Sequence, residues 1–238
     1  MKFTFGIITG NGGQQIHEII DSIEKQKIPE YEIIIVGNSD IIRNHTRNIS
    51  FDESVKNAWI TKKKNVITEN AKFDNVVYLH DYVVFEDSWY EGQLKSGDNF
   101  FVRMDKIKDI DGDRYYDWIV WRWNENFMDS IVAQGLGHPF LPWFGLIPYT
   151  MTHLSKYMYI SGMYWIAKKH VMEEFPLDEN LVWGQGEDVE WSKRVREKYD
   201  FNMNTNSTVR IIKGGKGKSN AQNPSPDMVE KLLNISND

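Results

Sequence analysis

The chain has 238 residues, 41% of them hydrophobic and 26% charged, which suits one large globular domain with a sizeable core. A net charge of −6 and a pI near 5.6 speak against a general nucleic-acid binder, whose surface is basic. With no cysteine there is no disulfide, which fits a reducing compartment, and no apolar run approaches the ~20 residues needed to cross a bilayer.

The amino terminus, "MKFTFGIITG", alternates like a strand and lacks the long apolar core of a signal peptide, so a cytoplasmic protein is expected. Phe3–Thr9 reads as a buried strand ended by the turn "GNGG". In "QQIHEIIDSIEKQ", Ile16, Ile19, Ile20 and Ile23 recur at helical spacing. Tyr31–Gly37 is a second apolar strand, closed by "NSD". This β-turn-α-β opening is that of a doubly wound α/β sheet. A third strand is expected at "AWIT", and a helix begins in "KKKNVITENA". The strongest strand signal is "NVVYLHDYVVF", Asn75 to Phe85, which carries His80 and Asp81.

The pattern changes from about Asp98. Aromatic strands are expected in "NFFVRMDKI" and "YYDWIVWRW", on either side of the turn "DIDGD". Residues 125–157 read as irregular, and Tyr157–Ala167 reads as a strand leading into a short helix. A second helix, "EDVEWSKRVREKY", follows the glycine turn "WGQG", and "STVRII" is the last strand. A lysine- and glycine-rich segment then precedes a short amphipathic helix, "MVEKLLNI". No internal repeat is present.

Two apparent motifs fail on spacing. In "GGKGKS" the first glycine of a phosphate-binding loop would fall on Ile212. In "DIDGDRYYDWIV" the glycine is misplaced for a calcium loop, and Val120 stands where a bidentate Glu is needed, so a turn is expected. The remaining signals each have two readings. Asp81, at the end of an apolar strand, sits where α/β sheets bind ligands and could hold a metal bridging a diphosphate; otherwise it closes a turn, with His80 as packing. Glu187 and Asp188 are either helix-end carboxylates or a catalytic pair, since a helix N-terminus keeps an acid ionised. Trp118, Trp121, Trp123, Trp143 and Trp165 are core residues or sugar-stacking faces. Lys213, Lys216 and Lys218 form a solvated loop or a flap closing over phosphates.

Taken in order, "FGIITG", "VGNSD", "KKKN", "VVYLHDYVVF", "YISGMYWIAKK" and "WGQGEDVEWSKRVR" resemble family 2-like glycosyltransferases of the GT-A fold, over roughly residues 1–212. The resemblance implies a single α/β domain with a mixed, mostly parallel central sheet flanked by helices. Residues 1–97 would bind a nucleotide-sugar donor, a UDP- or GDP-sugar, and residues 98–212 would bind a glycan or glycoconjugate acceptor. Residues 213–238 would supply the basic loop and terminal helix. Thr9 and Gly10 would border the nucleotide, Asn38 and Asp40 the base, and Lys64 or Asn65 the base or ribose. "LHDY" stands at the family's D-x-D metal motif, with His80 and Tyr82 replacing the outer acids and Asp81 left as the one carboxylate for Mn²⁺ or Mg²⁺. Asp188 would be the general base of an inverting transfer and Glu187 its neighbour orienting the acceptor. Gly162, Tyr164, Trp165 and Trp183 would line the acceptor side, with Trp165 or Tyr164 stacking on a sugar. The alternatives are a carbohydrate- or nucleotide-binding protein that has lost catalysis, or a retaining transferase.

Overall fold

The computed structural model describes residues 1–11, 13–117, 119–121, 144–146, 149 and 158–213. Strand β1 (Phe3–Asn11) leads into helix α1 (Gln14–Glu24), and β2 (Tyr31–Asn38) returns parallel to β1. Ile16, Ile19, Ile20 and Ile23 of α1 are all fully buried, as their spacing predicts. Each such side chain stabilises the fold by ~1.5–3 kcal/mol relative to an exposed one.

"AWIT" is not a strand. Ile60 opens α2 (Ile60–Asn70) instead, and the neighbour of β2 is β3 (Thr46–Ile49), a half-buried edge strand. Ile60, Lys63, Lys64 and Ile67 share one face of α2 and are all buried, so a helical period outweighs the local strand propensity of "AWIT". Polar "TRNI" carries no alternating apolar signal, which hides β3 in the sequence. Gly6 lets α2 lie close on β1: a Cβ there would come within 2.3 Å of Ile67 Cγ2.

The expected long strand Asn75–Phe85 is two strands, β4 (Asn75–His80) and β5 (Val83–Phe85), separated by a turn at Asp81–Tyr82. β4 runs parallel to β1, whereas β5 joins the opposite edge of the sheet. Helix α3 (Trp89–Ser96), which carries no periodic apolar signal, buries Trp89, Tyr90 and Gln93. Strands β6 (Val102–Lys108) and β7 (Arg114–Tyr115) flank the expected turn, where Asp109 Oδ1 accepts the backbone N–H groups of Asp111 and Asp113 at 3.0 and 2.9 Å.

Strands β8 (Ile119–Trp121), β9 (Phe144–Leu146) and β10 (Met158–Tyr159) make a small separate sheet in the order β10-β8-β9. The strand expected over Tyr157–Ala167 is interrupted at 160–163 before β11 (Tyr164–Lys168), which runs into α4 (Lys169–Glu174). Helix α5 (Glu187–Arg196) and strand β12 (Phe201–Ile211) complete the described chain.

The main sheet has the order β3-β2-β1-β4-β11-β6-β12-β5, with β7 on β6. It is the mixed sheet expected: β3, β2, β1 and β4 are mutually parallel, β6 and β12 are parallel, and β11 runs antiparallel between β4 and β6. One sheet therefore crosses both halves of the chain. Because β11 is antiparallel to β4, the segment entering it meets the carboxyl end of β4, and His80 N–H donates to the Met163 carbonyl at 3.0 Å. Among the described residues no helix is long and apolar enough to cross a membrane.

Candidate active site

A cavity of about 350 Å³ opens at the carboxyl ends of β1 and β4 and is lined in part by Thr9, Gly10, His80 and Asp81. These residues come from strand ends far apart in sequence, and parallel pairing of β1 with β4 brings them together. Asp81 Oδ2 accepts the Thr9 hydroxyl at 2.7 Å. Lys63 and Glu53 line the same cavity. The Lys63 ammonium donates to the Thr9 carbonyl at 2.7 Å and pairs with Glu53. Sequence reasoning passed over both, although the helical phase that buries Ile60 and Ile67 also turns Lys63 inward.

His80 is buried at the cavity wall. Burial, and next the charge of Lys64, hold its imidazole well below the usual histidine range, so it is neutral at physiological pH. The nearby Gly162 carbonyl acts in the opposite direction on the ring, and Nε2 has no partner among the described residues.

Lys64 is placed differently from the expectation that it meets base or ribose. It is 1% exposed, with Nζ donating to the Gly162 carbonyl at 2.7 Å and lying 4.6 Å from the centre of the Trp165 ring. Asn65 is also enclosed: its amide donates to the Leu177 carbonyl at 2.9 Å and to Glu179 at 3.0 Å, and its oxygen accepts the Leu177 N–H at 3.0 Å. It pins the segment that leads to α5 rather than facing a nucleotide. The stacking role expected of Trp165 or Tyr164 is likewise corrected. Both are fully buried, Trp165 stacked on Tyr78 at 4.8 Å, and Tyr164 hydrogen-bonded through its hydroxyl to Asp105 and Trp89. Tyr164, Trp165, Ile166 and Ala167 alternate between the two faces of β11 and all are buried, so both faces are covered.

Glu187 and Asp188 open α5 behind Gly186, which takes the N-cap position at φ 73° with no side-chain cap. Neither acid is the cap. Asp188 reaches across to β11's leading loop, where Oδ2 accepts the Gly162 N–H at 2.9 Å, and Oδ1 accepts the Val189 N–H at 2.9 Å. Burial raises the Asp188 carboxyl above its ordinary range, opposed by Lys64 and by those backbone donors. Burial raises Glu187 too, with the charge of Asp188 adding and Lys64 opposing. The half-buried Tyr82 lies where the charges of both Asp81 and Glu187 act on its phenol, which burial pushes up. A carboxylate pair of raised basicity thus stands beside the turn that holds Asp81.

The other expected positions are mixed. Asn38 and Asp40 are exposed at the end of β2. Trp183 is 65% exposed just before α5, and its backbone N–H donates to the Ala58 carbonyl at 3.1 Å. Gly162 is half-buried against Asp188 and Glu187. Lys213 is exposed, whereas Lys216, Lys218, Trp118, Trp123, Trp143 and the terminal helix lie outside the described residues. Trp121 belongs to β8.

The fold is GT-A-like. Over 99% of its length the chain superposes on GalNAc-T7, solved with UDP, GalNAc and Mn²⁺, with a TM-score of 0.64 at 14% identity. It matches Staphylococcus aureus TarS 1–349 in complex with UDP-GlcNAc with a TM-score of 0.57 at 15% identity, again over 99% of the chain. The chain spans 48% of the GalNAc-T7 chain and 66% of the TarS 1–349 chain. No protein-family model and no curated protein sequence matches it.

Proposed function

We propose that this chain is a glycosyltransferase that moves a sugar from a nucleotide-sugar donor to a hydroxyl acceptor with inversion, and that Asp188 is the general base. The observation that carries the proposal is the convergence at the loop entering β11: the Met163 carbonyl accepts the His80 N–H beside the cavity at 3.0 Å, and the adjacent Gly162 N–H meets Asp188 at 2.9 Å. Donor-side and base-side residues therefore adjoin one short backbone segment. The likeness to GalNAc-T7 and TarS, solved with UDP or a UDP-sugar, supports a UDP-sugar as the donor class.

The donor's nucleotide would occupy the cavity beside Thr9, Gly10 and Asp81, with Asn38 and Asp40 at its base end. The acceptor oxygen attacks the anomeric carbon from the face opposite the diphosphate. Its proton passes to the Asp188 carboxylate as the bond to the diphosphate breaks and the bonding electrons leave with it. The raised basicity of Asp188 favours that proton transfer. Glu187 orients the acceptor, and exposed Trp183 offers an aromatic face at the entrance. Lys63, and Lys213 with Lys216 and Lys218, would supply positive charge for the diphosphate.

Asp81 fits a divalent cation held mainly by the donor. One of its oxygens accepts the Thr9 hydroxyl, and the other makes no hydrogen bond among the described residues. No group of three or more acids and histidines assembles there among the described residues. A hard cation bound through one carboxylate and the phosphates matches the usual habit of Mg²⁺, and Mn²⁺ is equally suited by oxygen ligands. When bound, it would neutralise charge on the diphosphate.

The single carboxylate favours a second reading, a donor-binding protein without catalysis. A panel of UDP- and GDP-sugars, assayed for donor hydrolysis and for thermal stabilisation with and without Mn²⁺, separates the two. Hydrolysis of at least one donor is expected. Stabilisation without any turnover would favour the binding protein, and no stabilisation by any donor would count against both.

A further inference from the structure

We propose that Lys64 is the positioning residue of the Glu187–Asp188 pair: its ammonium, buried behind Gly162, balances the two carboxylates and fixes the glycine whose N–H meets Asp188. The inference rests on Asp188 as the base, and it assigns to that base a partner that touches neither donor nor acceptor.

The connection is short. Lys64 Nζ donates to the Gly162 carbonyl at 2.7 Å, and the Gly162 N–H donates to Asp188 Oδ2 at 2.9 Å. One residue thus joins the cation to the carboxylate. Close approach requires it to be glycine, because a Cβ would lie 2.9 Å from Asp188 Oδ2 and 3.3 Å from Glu187 Oε1. Trp165 closes the other side of the ammonium, 4.6 Å from its ring centre. At 1% exposure Lys64 has no route to a ligand.

The charged groups around it are few. From α5, Glu187 and Asp188 act on Lys64. From β4, His80 is held neutral by burial and by Lys64 itself. From α2, neighbouring Lys63 turns to Thr9 and Glu53 instead. From β10, the Tyr159 phenol feels Asp188 and is held protonated by burial. Two adjacent acids in a buried site disfavour each other's ionisation, and an opposite charge nearby restores it. Lys64 is the positive charge that pulls both carboxyls back down against burial, alongside backbone N–H donors. Burial lowers Lys64 to about 8, with Glu187 and Asp188 opposing, so the ammonium persists at neutral pH.

A lysine that only fills space would leave the acids unchanged when replaced by a methionine of similar length. The test is the pH titration of the Asp188 carboxyl carbon by NMR in the wild type and in Lys64→Met, with folding checked on the Gly162 amide resonance. The midpoint is expected to rise by about one pH unit or more in Lys64→Met, the usual effect of removing a close opposite charge. An unchanged midpoint in the folded variant overturns the proposal. Should Lys64→Met fail to fold, the wild type decides: Asp188 and the Gly162 amide must both show a second step near pH 8, as Lys64 loses its proton. A flat trace there overturns the proposal. No sugar transfer enters the measurement, so its failure leaves Asp188 as base untouched. Normal transfer by an Asp188 variant would remove the base while leaving this coupling in place.

Discussion

The Gly162 N–H and Asp188 Oδ2 lie 2.9 Å apart, and a methyl group on Gly162 would fall at the same 2.9 Å from that oxygen. The hydrogen bond that orients the proposed base thus depends on a residue without a side chain. Loop and helix come from segments 26 residues apart.

Gly162→Ala should therefore displace Asp188 while sparing the sheet, since Gly162 precedes β11 and its neighbours are Asp188 and Glu187 side chains. Transfer should fall by ~10-fold or more, as misplacement of a catalytic group commonly costs more than its contact energy. Donor-induced thermal stabilisation should persist. Normal transfer in the alanine variant would mean that the Gly162–Asp188 contact is not part of catalysis.

Asp81→Ala tests the donor side. UDP should raise the melting temperature of the native protein, and more so with Mn²⁺, because a ligand that binds only the folded state stabilises it by mass action. The variant should lose the Mn²⁺-dependent part and keep a residual UDP effect through Thr9, Gly10 and Lys63. An identical Mn²⁺ response in the variant would place the cation elsewhere.

The buried ammonium of Lys64 gives stability a signature at alkaline pH. Its folded value is lowered to about 8 from an ordinary 10.5, so between these values the unfolded chain binds the extra proton. Stability then rises with pH through this window, and the contribution is lost as pH falls through the folded value. Urea midpoints of wild type and Lys64→Met at about pH 7.5 and about pH 9.5 report it: the wild type should gain on the variant at the higher pH. Parallel midpoints would show that Lys64 is not a buried cation.

Much of the fold was legible because its signals are local. The isoleucines of α1 and the apolar runs of β1, β2 and β4 state both period and burial, and "GNGG", "LHD" and "GED" mark the two strand ends and the helix start of the candidate site. What stayed hidden depends on tertiary placement. In "KKKN" the three lysines look alike, yet one turn of helix sends Lys62 to pair with Glu179 at 3.0 Å, Lys63 to the cavity and Lys64 to the Gly162 carbonyl. Trp165 looked like a sugar platform because an aromatic residue near a site carries no mark of which strand will cover it. Packing against Tyr78 of β4 and Trp191 of α5 makes Trp165 core. Asp81 reads as a strand end, but the departure of β5 to the far edge was equally invisible, since both sides of Asp81 are apolar.

The central claim is tested most directly by the transfer rate of Asp188→Asn beside its melting curve. Asparagine keeps an oxygen for the Gly162 N–H and loses the contact to the Val189 N–H, a cost of ~1 kcal/mol, so melting should stay near the native value. With the basic oxygen gone, transfer should fall by ~10²–10⁴-fold while donor binding is retained. Near-native transfer from a normally folded Asp188→Asn would contradict the account, and a larger loss in Glu187→Gln would move the base to Glu187.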